Sequence, residues 1–340
     1  MLNKLFSILT GKFAERGAPD AAPSIKHPWQ VGKVRGDRCD NPEYKKLVQE
    51  EIAEYSSVEI TKDLKLGGIH DFGAWHYYWK HVNRRVEKLL GCSNIWPLME
   101  KNANAMERPR ILSLGCGHGG HELGLARRLR TGYHITALDL NENILKTARE
   151  TAAREKLNIK FECADLNYIS LPEGGFDFVF SQASLHHIMN LEHLFEQINR
   201  ALTDDGEFYI ADIIGKNRVI LWDENLKYLN GLVREIPERF RRDERGRLVK
   251  KISPSKGEGM EGVRQEELYG ILLEHMKAKF VYPHNAFIRF IATHPVLGRN
   301  LSEDTAEARG ILDYLIGEDD RSVESKALRP TEFLGIFGRE

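Results

Sequence analysis

From residue 109 onward, short apolar runs alternate with longer stretches in which apolar residues recur every three or four positions. "RILSLG" has the length of a buried strand, and "HELGLARRLRTG" after it carries helical spacing that stops at Gly132. "YHITALDL" reads as a second strand and "NENILKTARETAAREKL" as a second helix. "IKFECADL" is a third strand and "FDFVFSQA" a fourth. The helical "LEHLFEQINRALTDDG" then leads into a fifth strand, "EFYIAD". Strands separated by helices of this length pair in parallel through right-handed crossovers, so the pattern predicts an α/β fold with a doubly wound sheet.

The flanks read differently. "AERGAPDAAPSIKHP" is rich in Ala, Pro and Gly and reads as a linker. Between Asn41 and Gly91 helical spacing dominates, with Asn41-Pro42 as a start and Gly91 as a stop. Beyond Ile213 the chain is mostly helical, with a late strand at "AKFVYP". The apolar "TEFLGIFGR" after Pro330 is expected to close the sheet as an edge strand. The expected division is a flexible or amphipathic segment over 1–30, a helical lid over 31–108 and the sheet core over 109–215. A mostly helical cover for the substrate, including the late strand, follows over 216–330, and the closing strand occupies 331–340.

Composition narrows the classes. The 340 residues are 41% hydrophobic and 29% charged, as in soluble globular proteins. Forty-nine Lys and Arg against fifty Asp and Glu leave a net charge of -1, which argues against a nucleic-acid partner. Cys39, Cys92, Cys116 and Cys163 include no C-x-x-C pair, and their scarcity fits a reducing, cytoplasmic setting. No run of eighteen apolar residues predicts a membrane span. Leu2, Leu5, Phe6, Ile8, Leu9 and Phe13 share one helical face, so residues 1–13 either dock on the protein itself or touch a membrane surface peripherally.

The chemistry concentrates in "ILSLGCGHGGHELG". Counted as Gly115-x-Gly117-x-x-Gly120 it is a dinucleotide-binding turn, and counted as Gly115-x-Gly117-x-Gly119 it suits another adenosine cofactor. Glycines between strand and helix admit a ligand to the backbone in both cases. Asp139, at the end of the second strand, suits ribose hydroxyls in both. Asp165 in "CADL" ends the third strand, where an acid can accept the amino hydrogens of an adenine. The fourth strand runs into "FSQASLHHI", small and polar where the carboxyl edge of the sheet meets a ligand.

With these residues together, the chain resembles the class I S-adenosylmethionine-dependent methyltransferases over roughly residues 109 to 212 and the closing "EFLGIFGR". The motifs are specific as a set, in order and spacing: the glycine loop, Asp139, "CADL", "FDFVFSQASLHHI" and "LTDDGEFYI". The resemblance implies a Rossmann-like, mostly parallel, seven-stranded sheet and S-adenosylmethionine as cofactor. It assigns Gly115, Gly117 and Gly119 to the methionine part, Asp139 to the ribose hydroxyls and Asp165 to the adenine, and counts Ser113, Cys116, Leu140, Ala164 and Leu166 among the cofactor-binding residues. Ser181 borders the same site. One position departs: the family often carries an acid two residues before the first glycine, and this chain has Ser113. A hydroxyl there can bond the cofactor's ammonium directly or through water.

Methyl transfer from a sulfonium is mainly a matter of alignment and exclusion of water. A hydroxyl acceptor also has to lose a proton, which a histidine can take. His187 is the expected base, with His186 beside it; capping or packing is the alternative for both. No metal is expected, because adjacent side chains on a helix point apart. In "HDFGAWHYYWKH", Trp75, Tyr78 and Trp79 share a helical face that suits core packing. A lid bringing His70, Tyr77 or Tyr78 to the substrate is the other reading. "REIPERFRRDERGRLVKK" carries eight basic and four acidic residues, either a solvated surface or a rim for an anionic acceptor. The long covers and the phrases "LWDENLKYLNGLVREIPERFRRD" and "EGMEGVRQEELYGILLEHM" resemble bacterial methyltransferases of polysaccharide machinery. They imply O-methylation of a sugar, glycan or similar polar small molecule. A non-catalytic cofactor-binding scaffold and an NAD-dependent oxidoreductase are the rival readings.

Overall fold

The computed structural model describes residues 42–56, 72–253 and 257–340. The expected amphipathic segment 1–13, the linker after it and His70 lie outside the described residues. Among the described residues the helices are α1 (Pro42–Ser56), α2 (Gly73–Leu90), α3 (Ile95–Asn104), α4 (Gly120–Arg128), α5 (Glu142–Glu155), α6 (Leu191–Ala201), α7 (Asp223–Glu235), α8 (Gln265–His275), α9 (Ile288–Ala292), α10 (Leu297–Asn300) and α11 (Ala306–Glu324). The strands are β1 (Arg110–Leu114), β2 (His134–Asp139), β3 (Ile159–Cys163), β4 (Phe176–Gln182), β5 (Leu202–Ile213), β6 (Lys277–His284) and β7 (Glu332–Gly338).

All seven form one sheet in the order β3-β2-β1-β4-β5-β7-β6. β7 is antiparallel to both neighbours and the other pairings are parallel. The order reverses between β1 and β4, and such a switch point opens a crevice at the carboxyl ends of the strands. Strand side chains alternate between faces, and the sheet uses both. Ile111, Ile135, Phe178 and Tyr209 pack with α2, α3 and α4, whereas Leu112, Leu138, Val179 and Phe208 pack with α6 and α8.

The closing strand is not an edge. β7 is inserted between β5 and β6, with every residue buried. Its apolar residues point to both faces, Leu334 and Ile336 to one and Phe333 and Phe337 to the other, so only an interior position covers them. Gly335 makes room for the rings, since a Cβ there would lie 2.4 Å from Phe337. The edge falls to β6, where exposed Lys277 and Lys279 guard against further pairing. The late strand is therefore part of the sheet rather than of its cover. No helix among the described residues is long and apolar enough to cross a membrane.

Candidate functional site

The loop after β1 is fastened to β2: the Gly115 and Cys116 N–H groups both donate to the Leu138 carbonyl, at 2.9 and 3.0 Å. Two of its glycines are packed by protein. A Cβ on Gly115 would meet Ser184 at 2.4 Å, and one on Gly119 would meet the Phe161 ring at 2.7 Å, both at positive φ. A Cβ on Gly117 would meet nothing within 4 Å, so the middle of the loop faces open space against the start of α4. The cradle fits a ligand that approaches the backbone closely.

Asp139 ends β2 with both oxygens on backbone donors. Oδ2 accepts from Gly117 N–H at 2.8 Å and Oδ1 from Asn141 N–H at 2.9 Å. Burial raises its pKa and these two bonds oppose the rise. Each oxygen keeps a lone pair for a ribose hydroxyl. Leu140 follows with its carbonyl accepting from the Cys163 thiol, and Ala164 N–H donates to the Asp139 carbonyl. Cys116 is half-buried, its thiol pKa pushed up by burial first and by Glu122 and Asp139 next. Ser113 is buried and donates to Glu122 Oε1 at 2.5 Å.

Asp165 is engaged by a residue the sequence did not single out. Tyr44 on α1 donates to its Oδ2 at 2.6 Å, and the Asn167 N–H donates to its Oδ1 at 3.0 Å. Leu166 and Ser181 turn their side chains into the interior, Leu166 into the face shared with α6 and Ser181 toward Ser184 at 2.7 Å. Ser184 in turn donates to the Leu114 carbonyl, locking the β4 turn against the glycine loop.

That turn is where the structure revises the geometry expected of the histidines. After β4 the chain passes through Ala183 at φ 49, a left-handed conformation costly for a non-glycine residue, into a short 3-10 turn, Leu185–His187. Adjacent side chains do not diverge there: the two rings lie 4.3 Å apart. Asp212 at the end of β5 organises the turn, accepting from the N–H groups of Ser184 and Leu185 at 3.2 and 2.8 Å. His186 Nδ1 lies 2.6 Å from Asp212 Oδ1 and its Nε2 3.4 Å from Glu261 Oε1. Burial alone would depress the His186 pKa, but the two carboxylates overcome it and hold it at about 10. The same contact draws Glu261 down to about 2 against its own burial.

His187 is partly open. Its Nε2 faces Glu261 Oε2 at 3.3 Å and the Tyr55 hydroxyl at 3.5 Å. Its Nδ1 lies 2.8 Å from Glu51 Oε1 but out of line, so the contact is one of charge and leaves the nitrogen without a hydrogen bond. Donor atoms of His186, His187 and Glu261 all fall within 4.8 Å of one another, close enough for one cation. The divergence on which the expectation of no metal rested is therefore absent.

The lid is α1. Tyr44 reaches β3, Glu51 and Tyr55 reach His187, and the Ile52 carbonyl and Ser56 hydroxyl bond Asn141 after β2. Tyr77 and Tyr78 lie elsewhere. Tyr77 donates to Asp313 in the open, and Tyr78 is buried against Trp75 with its hydroxyl 2.8 Å from His284 Nδ1. The apolar face of α2 packs against α9, α10 and α11 and takes these side chains with it. Half of the eight basic residues in the basic segment are engaged: Arg239 with Glu307, Arg242 with Glu238 and Arg247 with Asp243, while Arg241 donates to backbone carbonyls.

Besides Tyr44 and Tyr55 on α1, four acids of the site lay outside the sequence reading. Asp212 carried the same signal as Asp139, an acid at the carboxyl end of a core strand. Glu122, Glu51 and Glu261 carried none, since each reads as an ordinary helix or loop acid. Glu261 is delivered by a loop tied down at Val263 N–H to the His186 carbonyl, and at Arg264 to Glu192 and Glu267.

Residues 111–206 match the model of a methyltransferase domain. Phosphoethanolamine N-methyltransferase 1 of Arabidopsis thaliana is 29% identical over 30% of this chain and 21% of its own length. Malonyl-[acyl-carrier protein] O-methyltransferase of Geobacter sulfurreducens is 31% identical over 42% of this chain and 49% of its own. The chain thus spans about half or less of the length of these curated relatives. An S-adenosylmethionine-dependent methyltransferase from Mesorhizobium loti, 19% identical, superposes with a TM-score of 0.38 over 71% of this chain and 96% of that one. Residues 111–206 thus match a methyltransferase domain, and the seven-stranded, mostly parallel sheet is the one expected of the class I S-adenosylmethionine-dependent fold.

Proposed function

We propose that this chain transfers the methyl group of S-adenosylmethionine to a polar small molecule held between the glycine loop and the His187–Glu261–Tyr55 cluster. The observation that carries the reading is the junction of β1 and β4. There Ser184 locks the cofactor-type loop directly against the turn bearing the two histidines. The open side of Gly117 and the double-capped Asp139 fit the methionine and ribose parts of the cofactor. The adenine side falls to Ala164 and to Asp165 with its partner Tyr44. The bound cofactor supplies a methyl group on a positively charged sulfur, and every other requirement falls to this chain.

His187 takes the acceptor's proton. His186 is unsuited to that, since it is held protonated between Asp212 and Glu261, with both ring nitrogens donating. Glu51 orients His187 by charge, and Tyr55 remains a neutral hydroxyl because burial and the surrounding acids raise its pKa. The acceptor hydroxyl loses its proton to His187 Nε2, its oxygen takes the methyl, and the sulfur keeps the bonding pair. α1 covers the strand ends and excludes water from the transfer.

A sugar or glycan hydroxyl suits this arrangement. An amine is the second reading, favoured by the surplus of carboxylates around His187: Glu51, Glu54 and Glu261. These acids disfavour an anionic acceptor. The phosphoethanolamine and malonyl-carrier-protein names of the relatives differ in acceptor and do not choose.

The test supplies methyl-labelled S-adenosylmethionine with a panel of sugars, nucleotide sugars and amines and follows the label by mass spectrometry. Label on a hydroxyl supports the first reading and label on an amine the second. Binding of S-adenosylhomocysteine without transfer to anything in the panel or a cell extract would leave only a scaffold. NADH bound in its place would restore the dinucleotide reading.

A further inference from the structure

Ser113 stands where an acid would be expected, and the acid has not vanished. It comes from the facing helix. Glu122, three residues after the left-handed Gly119 that opens α4, is 2% exposed and receives the Ser113 hydroxyl on Oε1. Its Oε2 is buried and has no hydrogen-bond partner among the described residues. The carboxylate lies under the glycine loop, near enough to Cys116 and Asp139 for the charges to be felt. Burial drives its pKa up to about 7 against the Ser113 bond.

A buried carboxyl oxygen with no partner is costly, the more so when charged. Proteins tolerate such atoms where a ligand completes them. A structural role needs only the Ser113 bond and could be met by an amide. Residues 113–119 carry no acid of their own, and Glu122 places one beside Ser113.

We propose that the Ser113–Glu122 pair supplies the negative partner for the α-ammonium of the cofactor's methionine part, with Glu122 doing from α4 what a β1 acid would do. The inference rests on the cofactor reading above. It divides the loop's work: the glycines admit the backbone approach, Asp139 takes hydroxyls, and Glu122 recognises charge.

The test is calorimetry with S-adenosylhomocysteine and with its analogue lacking the amino group. The intact chain is expected to prefer the amino-bearing ligand by roughly 10- to 100-fold, the usual worth of a charged hydrogen bond. Glu122→Gln should remove that preference while leaving affinity for the analogue and the melting temperature nearly unchanged. Ser113→Asp combined with Glu122→Gln should restore it. A second measurement needs no variant: near pH 7, binding should release protons as Glu122 ionises, seen as heats that differ between buffers of different ionisation enthalpy. An unaltered preference in Glu122→Gln, an equal loss for both ligands, or no proton release would overturn the inference. Failure of the intact chain to bind either ligand would instead overturn the cofactor reading on which it rests.

Discussion

His186 Nδ1 sits 2.6 Å from Asp212 Oδ1, with both side chains buried, and this pair joins the ends of β4 and β5 at the floor of the candidate site. Glu261 closes the other side of the ring. Held between these two carboxylates, the His186 ring lies 4.3 Å from that of His187.

The pair makes stability depend on pH in a definite direction. Burial lowers the His186 pKa, but Asp212 and Glu261 raise it further, to about 10, above the ordinary value of 6.5. A raised pKa means that its contribution is complete below about 6.5 and is lost as the pH climbs through about 10. His186→Gln should cost about 3–5 kcal/mol near neutrality, as breaking a buried pair does. The gap between variant and parent should narrow toward pH 10. Denaturant unfolding at several pH values measures it, and a gap that stays constant would mean the ring is neutral in the folded protein.

His187 should behave differently. Its removal leaves the Asp212 cradle untouched, so His187→Ala should fold normally and bind S-adenosylhomocysteine as before. Transfer to a hydroxyl acceptor should fall by roughly two to four orders of magnitude, the worth of a general base. Tyr55→Phe should cost less, because the hydroxyl only steadies Glu261 and His187. Single-turnover rates beside binding isotherms separate these effects. An unchanged rate in His187→Ala would leave alignment as the sole source of the reaction.

What was readable in the sequence was what repeats along the chain. Short apolar runs and glycine punctuation located the strands and the cofactor-type loop, because local backbone chemistry dictates both. Gly91 ends α2 in the left-handed conformation expected of it. The place of β7 was not readable, because register inside a sheet follows from burial on both faces rather than from order along the chain. The partners of His186 and His187 were not readable either. Glu51 lies 136 residues before His187 and Glu261 74 after it, and nothing in "QEEIAE" or "EGMEGV" distinguishes a site acid from a solvated one. Tyr77 and Tyr78 drew attention as the densest aromatic stretch, yet their face was taken by the core.

Asp139 should matter twice. Its oxygens hold Gly117 and Asn141 N–H groups, so Asp139→Ala removes both the ribose contact and two loop anchors. S-adenosylhomocysteine binding should be lost at micromolar ligand, with a fall in stability of about 1–2 kcal/mol for the released caps. Asp139→Asn keeps the shape and one acceptor, and should retain more of the fold than of the affinity. Calorimetry and thermal melts on the two variants test this. Full affinity in Asp139→Ala would remove Asp139 from the cofactor site.

The last prediction concerns how Glu261 is delivered. Gly262, next to it, has φ 61, and a Cβ there would lie 2.8 Å from Val219 N and 2.9 Å from Arg218 N. Neither the backbone conformation nor the space suits a side chain, and the obstruction is backbone that has no easy retreat. Gly262→Ala should therefore shift the loop and draw Glu261 away from both histidines. Stability should fall by about 1–3 kcal/mol. Methyl transfer should fall more steeply than S-adenosylhomocysteine binding, because the glycine loop on β1 is untouched. Glu261→Gln gives the comparison without the backbone strain: it should reproduce the loss of transfer while leaving the Val263 tie to His186 in place. Equal activity in Gly262→Ala and the parent would show that Glu261 keeps its place by Arg264 and Val263 alone.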